Sequence, residues 1–236
     1  MRPLLLDLFC CAGGAAQGYH EAGFDVVGID IEPQPRYPFT FFEADALSTM
    51  EWLLVGGRIA ANGESGGYWL RDFAGIHASP PCQAYSDLQK RTGREYPELI
   101  DPTREALEAS GLPWVIENVE GAPLRNAVRL CGTMFPGLRV LRHRLFEANF
   151  HIEEPEHGPH PLVFTYDKRK SHYGKLDQDV SFVQVAGGGN CTLANARDAM
   201  GIDWMTKAER IEAIPPAYTR HVGAALLSDI ELREAA

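Results

Sequence analysis

Cys82, Glu117, Arg142 and Arg144 offer a thiol nucleophile, a carboxyl acid and two fixed cations, each at a telling place in the chain. Cys82 closes the run Ser79-Pro80-Pro81-Cys82-Gln83. The two prolines fix their own φ angles and push the preceding residue toward extended geometry. The thiol is therefore presented from a stiff backbone at a strand end, where a nucleophile has to be held accurately. Alone, a free cysteine in a proline-rich turn reads as a small buried hydrophobe. Glu117 ends the apolar run PWVIE. A carboxylate there is costly unless it is paired or functional, or emerges into solvent. Asn118 follows, placed to orient the next loop. Arg142 and Arg144 alternate in LRHRLFE, so on a strand they share one face; a basic edge strand has the same pattern.

The elements that would hold these groups follow from the hydrophobic pattern. Residues 4–9, LLLDLF, read as a buried parallel strand, and a Gly-rich turn over 11–14 leads into a helix that Gly23 caps. A second strand over 25–31 completes a strand–turn–helix–strand unit ending in an acid, which is a nucleotide-binding arrangement. The turn lacks the full GxGxxG pattern but suits a ligand that needs close backbone approach at a helix N-terminus. Asp30 is placed for ribose hydroxyls, and Asp45 in EADAL stands where a third strand's end could reach an adenine edge. Either acid also serves as a loop residue or helix cap. Strands are expected over 74–78 and 113–117, helices over 46–61, 97–110, 203–213 and 216–230, a loop over 62–67 and irregular chain over 151–181. The alternation predicts a doubly wound α/β sheet.

With 236 residues, 45% of them hydrophobic, the chain can build one sizeable domain with a small appendage. No stretch approaches the ~20 apolar residues of a membrane span. The opening MRPLLLDLFCC superficially resembles a lipoprotein signal, but Asp7 interrupts an apolar run shorter than the roughly 7–15 residues of a signal core. A cytoplasmic location is expected. The cysteines are Cys10, Cys11, Cys82, Cys131 and Cys191. Their odd number and the lack of CxxC argue against both a disulfide framework and a zinc site, so no metal is expected. A net charge of −10 argues against a nucleic-acid partner by its sum. Its distribution does not, because basic residues cluster at Lys90 to Arg94, Arg139 to Arg144 and Lys168 to Lys175. Solvated loops would also show these clusters.

In order, DLFCCAGG, GIDIE, ADAL, SPPCQAYS, ENVEG and RHRLFE resemble the motifs of the C5-cytosine DNA methyltransferase family. The resemblance covers residues 4–150 and extends more loosely to 195–230, where RDAMGIDWM and EAIPPAYTRHVG look like its closing motifs. It implies a Rossmann-like, S-adenosylmethionine-dependent methyltransferase fold with a mostly parallel sheet. The implied cofactor-binding residues are Asp7, Phe9, Gly13, Gly14, Asp30, Ile31, Asp45, Pro81 and Glu212. Asp30 would hold the ribose, Ile31 would pack on the adenine and Asp45 would meet its amino group. Cys82 would attack cytosine C6, Glu117 would relieve charge at N3, Arg144 would hold O2, and Arg142 would steady the site and favour the Cys82 thiolate. Methyl transfer from the donor would leave S-adenosylhomocysteine. The partner would be double-stranded DNA with the target cytosine flipped out, gripped by Gln83, Ser86, Lys90, Arg91 and Arg94.

Departures from the family pattern are specific. Val140 stands where a Gln is usual, Glu212 where an Asn is usual, and Cys11 occupies a glycine-like slot. Glu212 could instead meet the positive end of the cofactor. The chain divides into a catalytic and cofactor-binding core over 1–146, a much reduced target-recognition segment over 147–196, and closing helices over 197–236. So short an insert predicts a recognition site of about two to four base pairs or relaxed specificity. Lys168, Arg169, Lys170, His172, Tyr173 and Lys175 are its candidate DNA contacts, and the glycines at 187–189 before Asn190 would allow close backbone approach. This compactness is closer to stand-alone phage and prophage methyltransferases, and a monomer is expected. The same motifs serve a relative that methylates transfer RNA. A non-catalytic binding protein or a nicotinamide oxidoreductase leaves the thiol, acid and arginines without a joint role.

Overall fold

A computed structural model describes residues 2–60, 66–85, 95–160, 163–164, 182–183, 185 and 193–235. The elements in order are β1 (Leu4–Leu8), α1 (Gly14–Ala22), β2 (Asp25–Asp30), β3 (Thr40–Glu43), α2 (Ala46–Leu54), β4 (Arg58–Ile59), β5 (Tyr68–Trp69), β6 (Phe73–Ala78), α3 (Ile100–Ser110) and β7 (Trp114–Asn118). There follow β8 (Val128–Leu130), β9 (Arg144–Ala148), β10 (Val163–Phe164), β11 (Phe182–Val183), α4 (Leu193–Met200), α5 (Lys207–Glu212) and α6 (Pro216–Glu234). Seven strands form the central sheet in the order β3-β2-β1-β6-β7-β9-β8. The first five run parallel, and β9 lies antiparallel between β7 and β8.

Side chains along a strand alternate between faces, and two separate cores result. Leu5, Val26, Val115 and Phe146 point to the face covered by α1 and α6, while Leu6, Leu8, Ile29 and Ile116 point to the face covered by α2 and α3. This two-sided burial explains the unbroken apolar run of β1. The α1–α6 contact is close because Gly18 has no side chain. A Cβ there would lie 2.1 Å from both the Pro216 carbonyl and the Thr219 hydroxyl. On the other face, Arg104 of α3 is clamped to Glu147 of β9 by two hydrogen bonds of 2.6 and 2.8 Å, buried at both ends. The register aligns Gly28, Asp7, His77 and Val115 in one row across the sheet.

Several expected boundaries move. The helix expected over 46–61 stops at Leu54, because Gly56 adopts φ +86 and the chain turns into β4, which pairs antiparallel with β5. The helix expected over 97–110 begins at Ile100, and that over 203–213 begins at Lys207, where Thr206 caps it. The last helix runs past 230 to Glu234. Arg142 lies ahead of β9, which starts at Arg144, so the two arginines do not share one regular strand face. No helix among the described residues is long and apolar enough to cross a membrane.

Candidate active site

The parallel strands end together, and the loops leaving β1, β2, β6 and β7 meet at that edge, as ligand sites of open α/β sheets do. After β1 the chain turns sharply: Phe9 and Cys11 take positive φ of 57 and 45. Gly13 follows at φ +83, where a Cβ would come within 2.8 Å of Pro38. Only glycine combines that conformation with that clearance. Asp30, at the end of β2, holds the turn by accepting the Cys11 N–H at 2.8 Å and the Glu32 N–H at 3.0 Å. Next to it Ile31 is 64% exposed, an apolar surface with nothing of this chain upon it. Asp45 is exposed and caps α2, accepting the Ser48 N–H at 2.8 Å, and it lines a cavity of ≈ 450 Å³ with Phe42, Thr49, Trp52 and Arg58. A larger cavity of ≈ 670 Å³ is lined by none of the expected site residues.

Asp7 departs from its expected place. It is fully buried beneath the turn, and the Tyr37 hydroxyl donates to it at 3.3 Å. Burial pushes its carboxyl up to about 8, so it is mainly protonated at neutral pH. A side chain sealed in this way supports the loop from beneath. Glu212 ends α5 exposed to solvent, and its charge is felt at Cys11. The closing segment packs directly on the first turn: a Cβ on Gly14 would lie 2.7 Å from the Ile214 carbonyl, and Trp204 Nε1 donates to the Ala12 carbonyl at 2.9 Å.

The reactive residues converge across the neighbouring strand ends. Glu117 is buried on β7 and faces Arg144 of β9, with Nε and Oε1 2.8 Å apart. Burial raises the Glu117 carboxyl above its ordinary range, against the pull of Arg144, then Arg142, and a hydrogen bond from Ser79. Half-buried Cys82 feels all three charges. Arg142 pulls the thiol toward its thiolate as expected and Arg144 does so more strongly, while burial, the largest influence, and Glu117 push it up.

Arg142 uses its two terminal nitrogens on the protein, while its buried Nε has no hydrogen-bond partner among the described residues. Nη1 donates to the Val185 carbonyl at 3.2 Å and Nη2 to the Ile211 carbonyl at 2.7 Å, so it joins the sheet to the closing segment. Burial brings it down to about 9, which leaves it charged at neutral pH. Val140, two residues earlier, is buried and bridged to Val183, with its side chain in the core. Asn118 ties two loops together. Its Nδ2 donates to the Pro80 carbonyl at 2.8 Å and its Oδ1 accepts the Val119 N–H at 2.9 Å. That fastens the Pro80-Pro81-Cys82 turn to the end of β7. Pro81 is half-buried beside Cys82, and Gln83 is exposed in the short 3₁₀ turn that follows. Ser86, Lys90, Arg91, Arg94, Lys168, Arg169, Lys170, His172, Tyr173, Lys175 and 187–190 lie outside the described residues.

Three supporting residues went unnoticed in the sequence. His77 is wholly buried between the Tyr19 hydroxyl at 3.0 Å and Ser79 Oγ at 2.9 Å, and burial lowers it to about 3, so it is neutral. Ser79 in turn reaches Glu117. Tyr218 donates to the Arg142 carbonyl at 2.6 Å. Ser79 and Tyr218 lie inside recognisable segments, but only the folded chain shows what they hold.

The sheet order, the bent turn after β1 and the cluster beyond β6 and β7 make this a Rossmann-like methyltransferase fold. No family model matches the chain. A type II methyltransferase, M.XorII of Xanthomonas oryzae pv. oryzae, is 29% identical over 173 residues, covering 70% of this chain and 35% of that protein. The chain thus spans about a third of that relative's length. A crystal structure described as a DNA modification methyltransferase encoded within an E. coli prophage superposes with a TM-score of 0.59 at 14% identity, over 96% of this chain and 99% of that one. A Spodoptera frugiperda DNMT2 mutant overlaps 61% of this chain and 48% of its own with a TM-score of 0.40 at 16% identity, and adds nothing to the fold assignment. Fold and relative agree with the methyltransferase part of the resemblance that the motif order carries.

Proposed function

We propose that the chain is a DNA (cytosine-5-)-methyltransferase that uses S-adenosylmethionine. The observation that carries this reading is the Glu117–Arg144 contact of 2.8 Å at the strand end beside Cys82, with both charges acting on the thiol. A buried carboxyl, a guanidinium and a thiol on one rigid edge are what activation of a cytosine ring needs.

The residues of the first turn fit an adenosyl group. Gly13 and Gly14 allow backbone approach, exposed Ile31 offers a flat apolar contact, Asp30 and Asp45 supply acceptors, and Phe9 shapes the turn. Glu212 complements the positive end of such a ligand. When bound, the cofactor supplies an electrophilic methyl group and leaves as S-adenosylhomocysteine.

Cytosine C5 is a poor nucleophile until the ring is activated. Cys82 loses its proton to solvent as the base docks and adds to C6, while Glu117 delivers a proton to N3, so the adduct forms without a stranded charge. Arg144 holds O2 and fixes the ring over the thiol. After C5 is methylated, its proton departs to solvent, N3 returns its proton to Glu117 and Cys82 leaves. A duplex hides C6, so the target must be flipped out or unpaired. Residues 147–196 serve as a reduced target-recognition segment, which favours a short site.

The test is transfer of a labelled methyl group to mixed-sequence duplex DNA, with nucleosides identified by mass spectrometry. 5-Methylcytosine from wild type and none from Cys82→Ala supports the reading. Label in RNA alone moves the activity to an RNA substrate, and label in neither, with the cofactor still binding, replaces the enzyme with a binding module.

A further inference from the structure

At the far edge of the sheet, four side chains that the reaction does not use point at one another. Cys131 follows β8 and is fully buried; His143 precedes β9. Because Leu130 pairs with Arg144 in the antiparallel ladder, the next pair outward sets Cys131 opposite His143. The loop after β9 then returns with His157 and His160, three residues apart in His-Gly-Pro-His. The four ligand-type atoms lie within 4.8 Å of one another.

Four of the six edges between these atoms match a tetrahedron. His143 Nε2 is 3.3 Å from His157 Nε2 and 3.2 Å from His160 Nε2, and these last two are 3.2 Å apart. Cys131 Sγ is 3.5 Å from His160 Nε2. A tetrahedral Zn²⁺ with its usual bond lengths separates nitrogen ligands by roughly 3.3 Å and sulfur from nitrogen by about 3.5 Å.

Hydrogen bonding alone cannot explain the cluster. A neutral imidazole nitrogen either donates or accepts. His143 Nδ1 is 3.0 Å from Glu120 Oε2, a carboxylate that can only accept, so Nδ1 carries a proton and, in the neutral ring, the Nε2 lone pair faces the cluster. With that lone pair fixed, three nitrogens in a triangle always leave at least one edge with lone pair against lone pair or N–H against N–H. A cation at the centre satisfies all three lone pairs together. The Glu120–His143 contact is also the outer contact that orients a metal-bound histidine.

We propose that Cys131, His143, His157 and His160 hold a structural Zn²⁺ ion. One thiolate and three neutral imidazoles form a borderline-soft set suited to zinc, and four protein ligands close the coordination sphere, as structural sites do. Binding releases the Cys131 proton to solvent. Cysteine spacing speaks against a CxxC zinc site but not against one built from a single cysteine and three histidines. The ion's role follows from its place. His143 stands between Arg142 and Arg144, and Arg144 Nη1 donates to its carbonyl at 3.0 Å. The ion therefore ties the arginine pair to the loop that opens the 147–196 segment.

The test uses untagged full-length protein purified without chelator. Elemental analysis should find about one zinc per chain, falling at least about tenfold in Cys131→Ser and in His160→Ala. Cobalt added to the metal-free protein should give the visible bands of a tetrahedral ion and a thiolate charge-transfer band that Cys131→Ser abolishes. His160 is exposed, so His160→Ala decides the matter if Cys131→Ser fails to fold. Wild type without zinc and without a tetrahedral cobalt spectrum overturns the proposal, as does zinc retained in full by folded His160→Ala. Neither readout depends on methyl transfer, so the site stands or falls apart from the proposed reaction.

Discussion

Cys82 has its proton affinity set by burial and Glu117 on one side and by Arg144 and Arg142 on the other. Removing Arg144 takes away the larger lowering influence, so the thiol must rise further. The pH midpoint of Cys82 alkylation should therefore move upward in Arg144→Ala, read as the reactivity difference from Cys82→Ala; an unmoved or lower midpoint refutes the coupling. Glu117→Gln keeps the shape but cannot give up a proton to N3, and should lower kcat by about 10²–10⁴-fold with cofactor affinity unchanged. A loss confined to cofactor affinity would instead place Glu117 in the cradle. The reactive set was legible from sequence because a Pro-Pro-Cys turn and an acid ending an apolar strand are local signals. The zinc ligands were not, since three separate segments contribute them and their spacing in the chain follows no metal motif. Asp7 was legible as an acid in a strand but not as a sealed one, because burial depends on Tyr37 crossing over Gly28.

Among the elements, β1 carries a pH dependence that can be measured. Asp7 holds its proton up to about 8 when folded, against an ordinary value of 3.8. The folded state therefore binds more protons between those values, and its stability falls as pH rises through that window. The linkage amounts to about 6 kcal/mol as a ceiling. Asp7→Asn should raise the Tm at pH 8 and change it little at pH 4; equal effects at both would mean that Asp7 is not titrating as described. The α1–α6 crossing makes a second prediction. Gly18→Ala pushes a methyl into backbone and should cost about 1–3 kcal/mol, seen as a lower denaturation midpoint. Strand positions were legible because two-sided burial makes continuous apolar runs. Helix ends were less so: the end of α2 depends on Gly56 turning the chain toward β5, a partner about ten residues further on.

For the molecule as a whole, the closing segment completes the first turn. Trp204 holds the Ala12 carbonyl, residues 213–214 lie against Gly14, and Arg36 pairs with Glu209 through hydrogen bonds of 2.9 and 3.1 Å. Trp204→Phe keeps the packing but loses one hydrogen bond, so S-adenosylhomocysteine should bind roughly 3–10-fold more weakly by calorimetry, with the Tm nearly unchanged. Undiminished affinity would remove Trp204 from the support of the turn. The α1–α6 contact has a temporal side as well. A ribosome that has released only the first 200 residues has made every reactive motif, yet Tyr19 and Ala16 still lack Tyr218, Val222 and Leu226 to pack against. Contacts between such distant parts of a chain form late. The nascent polypeptide thus carries its nucleophile for most of its synthesis without a finished cradle beside it. Division near residue 201 should likewise give two fragments that bind S-adenosylhomocysteine only once reassembled, so calorimetry on the mixture reports on whatever brings the halves together.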